Sequence, residues 1–451
     1  MTQYMSPSEI AAFEPRPFMR DGGSALEGAR RCMIETGQWG PAQAMGRRWS
    51  IGCVALEITQ RCNLDCSICY LSETAEAVHD LPLEEVFRRI DAIAAMYGRD
   101  TDVQVTGGDP TLRKRSELAA IVRRIRDKGM RPSLFTNGIR ASRDLLVELA
   151  DAGLIDVAFH VDMTQRRRGF GSEADLNAVR RDYIERARGL PLSVIFNTTV
   201  FAGNFAEIPE LVKFFVAHSD VVRFCSFQLQ ADTGRGVDRS RPAHISLDTV
   251  ARAVREGAGC NLSFGFPMAG HARCNRYAMA LVSNGRAYDF YDDREFVTRV
   301  FQVTAKVQFD RTKWHKAVTA FVCSVAKHPS LLLPSIRWTA RKLWQMRADL
   351  VAARGGVRKL SFFIHNFMDA CHLEKERVDG CAFMVATARG PVSMCLHNAR
   401  RDSFVLEPIA RADRRVGYWN PVTGRVQVDP QPSGPPLLSA RRRKGAARGE
   451  P

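Results

Sequence analysis

Residues 54–70 read VALEITQRCNLDCSICY. The first six form a short apolar and β-branched run, which reads as a strand. Just past its end stand Cys62, Cys66 and Cys69, spaced C-x3-C-x2-C, followed by Tyr70. Three thiols so close in sequence can fold around one metal centre. Iron-sulfur cubanes are held by cysteine thiolates, usually four, so three from one loop leave one iron open to an exogenous ligand. A structural zinc site would want a fourth ligand nearby. The nearest candidate is His79, ten residues past Cys69.

Working outward, the chain alternates short apolar runs with amphipathic stretches. The runs are VALEIT, DVQVT, PSLFT, LIDVAFHV, LSVIFNTTV and VVRFCSFQLQ. Between them the periodicity predicts helices over 82–97, 116–127, 143–152, 174–187 and 206–217. The first is clearest, with Val86, Ile90, Ile93 and Tyr97 at helical spacing and Asp80 expected as a cap ahead of Pro82. Six strands joined by helices argue for an α/β fold with a parallel sheet, a partial (β/α)6 TIM-like barrel, with functional groups at the C-terminal strand ends. His160 and Asp162 end the fourth strand, Asn197 and Thr199 the fifth, and Gln228, Gln230 and Asp232 the sixth.

Length and composition fit that reading. The 451 residues are 45% hydrophobic, 25% charged and 9% aromatic, which excludes a disordered or collagen-like chain. The first twenty residues lack the basic start and apolar run of a secretory signal, and no stretch approaches the roughly 20 apolar residues of a membrane span. A cytoplasmic location is expected, where 12 cysteines point to metal or redox chemistry before disulfides. The rhythm gives an N-terminal extension over 1–50, the barrel over 51–245, an α+β cysteine-containing region over 246–430 and a tail over 431–451. In the third part, 313–327 and 336–353 look helical, and VDGCAFMVATARGPVSMCLHN looks like a hairpin turning near Ala388 to Pro391.

The net charge of +16 is local. Residues 301–360 hold 12 Lys and Arg against Asp310 and Asp349, and Leu437 to Pro451 holds five against Glu450. The tail follows a Pro-rich stretch and reads as disordered. The helical segments combine charge with apolar stripes: Trp314, Val318, Phe321, Val322 and Val325 in one, and Ile336, Ala340, Leu343 and Trp344 in the other. Basic faces bordered by Trp suit an anionic membrane surface. The alternative is a solvated helix pair that packs its stripe on the barrel.

The cysteine loop resembles the radical S-adenosylmethionine (SAM) enzymes, in which C-x3-C-x2-C with a following aromatic ends the first strand of a βα barrel. Gly107-Gly108-Asp109-Pro110 after the second strand is similar to the family's Gly-Gly-Glu-Pro segment, and Phe135-Thr136-Asn137-Gly138 ends the third strand as its "TNG" does. The resemblance implies a 4Fe-4S cluster on Cys62, Cys66 and Cys69, and SAM held by Gly107, Gly108, Asp109 and Pro110 with Thr136, Asn137, Asn197 and Gln228. It implies a 5'-deoxyadenosyl radical that abstracts a substrate hydrogen, and an electron donor such as flavodoxin or ferredoxin. Asp109 is one methylene shorter than the family's Glu. Tyr70 is expected against the adenine, and Arg235 against an anionic substrate or the SAM carboxylate.

Residues 365–398 have a narrower resemblance, to the tetraether lipid synthase group and its pterin-methylating relatives. It rests on His365-Asn366-Phe367-Met368-Asp369, Glu376-Arg377-Val378, Cys381 and Cys395-Leu396-His397-Asn398, with Gly270-His271-Ala272-Arg273-Cys274 upstream. It implies an auxiliary cluster on Cys274, Cys381 and Cys395, completed by Cys371 or Cys260. Two features of the group are missing: Ala269 stands where its first cysteine would be, and Cys32 is alone where it carries N-terminal cysteine pairs. Cys53, Cys225 and Cys323 read as small hydrophobes. The expectation is a radical SAM enzyme acting on a lipid or lipid-linked substrate, peripheral on the inner membrane face. Modification of a small heterocycle is the alternative, and RNA modification, with the basic segments on phosphates, a further one.

Overall fold

The computed structural model describes residues 2–15, 52–235, 244–265, 269–304, 307, 309–310, 313–411 and 417–428. The expected tail, most of the N-terminal extension with Cys32, and the side chain of Trp314 lie outside the described residues.

Six strands follow one another in parallel: β1 (Cys53–Thr59), β2 (Asp102–Gly107), β3 (Arg131–Thr136), β4 (Asp156–His160), β5 (Ser193–Val200) and β6 (Val222–Leu229). Helices Leu83–Tyr97, Arg115–Asp127, Arg143–Asp151, Asn177–Ala187 and Ile208–Ala217 join them. All seven residues of β1 are buried, as a strand covered on both faces requires. The first helix buries Val86, Ile90, Ile93 and Tyr97, the stripe its periodicity predicts. Asp80 does not cap it. Its carboxylate accepts from Thr59 Oγ1 at 2.6 Å and pairs with Arg61, so it ties the end of β1 to the start of the cysteine loop instead.

The sheet does not stop at β6. β7 (Asn275–Ser283) and β8 (Arg286–Asp289) form a hairpin, and β9 (Arg358–Asn366) lies between it and β6, parallel to β6. On the opposite flank, β10 (Phe383–Ala386) runs parallel to β1 and pairs antiparallel with β11 (Pro391–Ser393). The order is β11-β10-β1-β2-β3-β4-β5-β6-β9-β7-β8, so the run of parallel strands has eight members and the region after residue 245 contributes both outer ones. The boundary expected at 245 is therefore a change in sequence rhythm inside one continuous sheet. The hairpin expected around 388–391 is present as β10 and β11.

The basic segment forms helices Trp314–Lys327 and Leu332–Ala352, bent by 112° at the break between them. They rest on the sheet's β7 end, where Phe321 and Trp338 pack against Tyr277, Tyr291, Phe296 and Val297. Among the described residues no single helix is long and apolar enough to cross a membrane, although this bent pair passes that test together.

Candidate active site at the C-terminal ends of the parallel strands

The chain leaves β1 at Thr59 and runs directly into the cysteine loop. The Gly107-Gly108 segment at the end of β2 is laid against the start of that loop by backbone bonds, Gly108 N to Thr59 O at 2.9 Å and Asp109 N to Arg61 O at 2.8 Å. Only glycine allows this approach. A Cβ on Gly107 would stand 1.9 Å from Thr59 O, and one on Gly108 2.0 Å from Arg61 O. Gly107 also has φ +124°, outside the range side chains readily adopt.

Two further strand ends clasp the loop. Asn137, after β3, donates through Nδ2 to Asn63 Oδ1 at 2.6 Å and lies 3.9 Å from Cys62 Sγ. Thr164, after β4, accepts Ser67 N at 2.8 Å on its carbonyl. From the far side Arg235 bonds Leu64 O at 3.2 Å, lies 3.7 Å from both Asp65 and Glu76, and takes its own N–H to Leu71 O. Arg235 thus braces the cysteine loop, where the sequence suggested an anion-binding role. Burial pushes the Cys62 thiol up to about 12 and the Cys66 thiol well above its ordinary value, each thiol being raised further by its cysteine neighbours and lowered by Arg235.

Asp109 differs from its expected role. It is 1% exposed, and its carboxylate accepts from Thr111 N (3.0 Å), Thr111 Oγ1 (2.6 Å), Thr136 Oγ1 (2.9 Å) and Asn137 N (2.9 Å). A side chain one methylene shorter than Glu ends inside its own turn, so it locks the end of β2 to the end of β3. Burial raises its pKa and these four donors oppose that rise. Pro110 opens the short turn that Asp109 caps.

His160 and Asp162 come together. His160 Nε2 lies 2.6 Å from Asp162 Oδ2, and Asp162 also accepts from Thr164 N at 2.9 Å and Thr199 N at 2.7 Å. Burial would raise the Asp162 pKa, but His160 and these donors outweigh it and hold the carboxyl at about 2. Asn197 is buried on β5 and Gln230 just past the end of β6, and Gln228 on β6 is half-buried. Asp232 instead joins the second region, receiving Ala370 N on its carbonyl while its N–H bonds Asp369 Oδ1 at 2.8 Å.

Behind the loop lies a network that sequence reasoning did not identify. Glu57, 6% exposed, pairs with Arg401 at 2.7 Å and accepts from Gln60 Nε2 at 2.8 Å. The Arg401 guanidinium stands 4.7 Å over the Tyr70 ring, whose hydroxyl donates to Gly107 O at 2.5 Å. Tyr70 is thus held between the second region and the glycine turn, with 37% of its surface open. A lone carboxylate in an apolar strand was the available signal, since burial requires a partner.

In the second region Cys274, Cys381 and Cys395 are near enough to influence one another electrostatically, although among the described residues no group of three or more His, Cys, Asp and Glu is placed to hold a metal ion. Burial raises the Cys274 thiol to about 11 and Cys395 further, and Cys381 raises both. Arg377 Nε lies 3.3 Å from Cys274 Sγ. Cys371 is exposed with its thiol on His372 at 3.1 Å, and the Cys260 thiol is raised by burial beside Asp289, so neither is drawn into the group.

Residues 56–215 match the Radical SAM superfamily, so the chain carries a radical SAM domain over that stretch. Curated relatives include 7,8-dihydro-6-hydroxymethylpterin dimethyltransferase of Methanocaldococcus jannaschii, 27% identical over 45% of this chain and 41% of that protein. The probable GTP 3',8-cyclase of Pyrococcus abyssi is 34% identical over 35% of this chain and 51% of its own. The PqqA peptide cyclase of Rhodopseudomonas palustris is 29% identical over 36% and 43%. The chain spans about half the length of the curated relatives it matches. Among solved structures, Streptococcus suis SuiB bound to S-adenosylmethionine aligns over 50% of each chain at 14% identity, with a TM-score of 0.34.

The superfamily implies a 4Fe-4S cluster and SAM. The donor set fits. Among the described residues no three His, Cys, Asp or Glu side chains converge tightly enough for a single ion. A cluster, in which each thiolate takes its own iron, needs thiols spread over a wider cradle. Cys62, Cys66 and Cys69 occupy one loop clasped by three strand ends, with a cation beside the anionic charge they would carry.

Proposed function

We propose that this protein is a radical SAM enzyme acting at an unactivated carbon of a lipid or lipid-linked substrate. The observation that carries the chemistry is the convergence of Cys62, Cys66 and Cys69 with the Gly107-Gly108 turn and Asn137 on one end of the sheet. When bound there, the cluster and SAM supply a 5'-deoxyadenosyl radical able to take a hydrogen atom from the substrate. The chain's own residues fix the loop: Arg235 and Asn137 hold its two sides, and Asp109 locks the strand ends beneath it. Glycine backbone at 107 and 108 lets the end of β2 close directly against the start of the cysteine loop. His160 with Asp162, Asn197 and Gln228 provides the polar wall for ribose and substrate.

The substrate class is supported by the second region, whose outer helices present an apolar face, and by the resemblance of residues 365–398 to the lipid synthase group. The proximity of Cys274, Cys381 and Cys395 to one another and to Arg377 supports a second cluster there. The pterin relative favours a small heterocycle as the alternative substrate.

The test is anaerobic reconstitution followed by reduction in the presence of SAM. The protein is expected to release 5'-deoxyadenosine, and Cys66→Ala to abolish that release. A variant cleaving SAM at the parent rate would overturn the assignment. In the same experiment, a variant with Cys62, Cys66 and Cys69 all replaced by Ala should retain iron and sulfide; a folded but metal-free protein would remove the second cluster. Untargeted mass spectrometry of lipid extracts from a deletion strain and its parent identifies the product.

A further inference from the structure

Helix Leu332–Ala352 is amphipathic in the reverse of the usual sense. A surface helix normally turns its apolar stripe to the core and its charges to water. Here the inward face carries Ser335, Lys342 and Asp349, all at most 8% exposed, with Met346 and the half-buried Trp338 between them. Lys342 Nζ reaches Asp292 at 2.6 Å, and Asp349 accepts from Asn284 Nδ2 at 3.0 Å and from the Tyr288 hydroxyl. The opposite face carries Leu332, Leu333, Ile336, Leu343, Trp344 and Val351, each between 54% and 81% exposed. Their spacing places them on one side over nearly the whole helix. Helix Trp314–Lys327 continues the pattern, burying Ser324 and Val325 while Val318 and Val322 stand 51% and 58% exposed.

Burying a charged pair while leaving six large hydrophobic side chains in water is unfavourable twice over, by desolvation on one face and by apolar exposure on the other. A contiguous apolar face of this kind marks a surface that another phase or molecule covers. Charge identifies which one. Between residues 311 and 360 the sole carboxylate is Asp349, which points inward, whereas Lys316, Lys327, Arg337, Arg341 and Arg347 are exposed. The Arg347 guanidinium lies 4.3 Å over the Trp344 ring, which places a cation and an indole together on the exposed apolar face. Trp at a water-hydrocarbon boundary flanked by Lys and Arg matches an anionic lipid surface. The bend of 112° gives the pair the shape of a hairpin lying in an interface.

We infer that helices Trp314–Lys327 and Leu332–Ala352 seat the protein on an anionic membrane leaflet through Val318, Val322, Ile336, Leu343 and Trp344. This names a partner for the lipid reading proposed above, while its evidence is the helix pair alone.

Full-length protein is spun with vesicles of phosphatidylcholine alone and of equimolar phosphatidylglycerol and phosphatidylcholine. It should sediment with the anionic vesicles, and part of that binding should survive high salt, because burial of apolar side chains is not screened. Leu343→Ser with Trp344→Ser should weaken partitioning by about tenfold or more. Lys327→Gln with Arg337→Gln should weaken it chiefly at low salt. Val147→Ser, at an exposed apolar position on a barrel helix, should leave it unchanged. Protein that stays in the supernatant, or binds neutral vesicles equally, overturns the inference. So does a dimer that the Leu343 and Trp344 substitutions dissociate, or tight binding of mixed-sequence RNA without vesicle binding. Release of 5'-deoxyadenosine from the same preparations separates this outcome from the fate of the chemical assignment, which stands or falls without a bilayer.

Discussion

Replacing Arg401 with Met removes the cation from a buried carboxylate while keeping much of the side chain's volume. Glu57 is 6% and Arg401 4% exposed, and Arg401 Nη1 lies 2.7 Å from both carboxylate oxygens. Burial alone would raise the Glu57 pKa; Arg401, helped by His397 and Gln60, outweighs it and holds the group at about 2. Against an ordinary Glu near 4.3 that difference corresponds to roughly 3 kcal/mol of native-state stabilisation at neutral pH. The same size follows from the general cost of about 3 to 5 kcal/mol for stranding one half of a buried ion pair. The sign is that of a depressed carboxylate. The stabilisation is complete above the unfolded-state pKa and disappears as pH falls through the folded value, so the window runs from about 4.3 down to about 2.

Urea unfolding followed by circular dichroism, on parent and Arg401→Met across pH, measures this. The variant should lose about 3 kcal/mol near neutrality, and the gap should shrink toward about pH 3. Glu57→Gln added to Arg401→Met should recover part of the loss, because the stranded charge is gone. A loss under about 1 kcal/mol at neutral pH, or a gap that does not change with pH, would refute the reasoning. Because Arg401 also stacks on Tyr70, next to Cys69, the single variant should retain iron less well after reconstitution.

Gly107→Ala should fail to hold iron, since its Cβ would collide with the Thr59 carbonyl. Gly98→Ala, at φ +78° and ψ −170° with open space around it, should cost about 1 to 3 kcal/mol through backbone strain and leave the iron content intact. His160 has its pKa raised because Asp162 outweighs the opposing effect of burial. That stabilisation is present below the ordinary histidine value and is lost as pH rises through the raised one. His160→Gln should therefore be less stable than the parent in mildly acidic buffer and converge on it in alkaline buffer, as measured by thermal unfolding.

The barrel strands were legible because each is a compact apolar run between helical periods, and the cysteine loop because its spacing is local. Contacts made at long range were not. FMVA was recognisable as half of a hairpin, yet nothing in it tells that its other edge pairs with β1. Asp80 looked like a cap and Asp109 like an open acceptor because sequence shows which groups are polar but not which donors reach them. The Glu57 pairing escaped notice because its cation, Arg401, is 344 residues away. The Asn284-Gly285 turn between β7 and β8, with φ +49° and +72°, carried a hairpin signal that went unread because the flanking strands lack strict alternation. In the basic helices the periodic stripe was visible, but Phe321 and Val325 turn inward while Val318 and Val322 face out, a division set by the neighbouring aromatic cluster.

The pairing of β1 with β10 joins Cys53 to Phe383. On a ribosome adding about 5 to 20 residues each second, β1 and the cysteine loop emerge tens of seconds before the strand that covers their edge. During that interval the hydrogen-bonding edge of β1 is open to any other strand, and Tyr70 lacks the guanidinium that later rests on it. The order of synthesis therefore makes the cysteine loop well before the strand and the guanidinium that enclose it. Iron delivered before β10 and Arg401 have been made would meet an unfinished cradle.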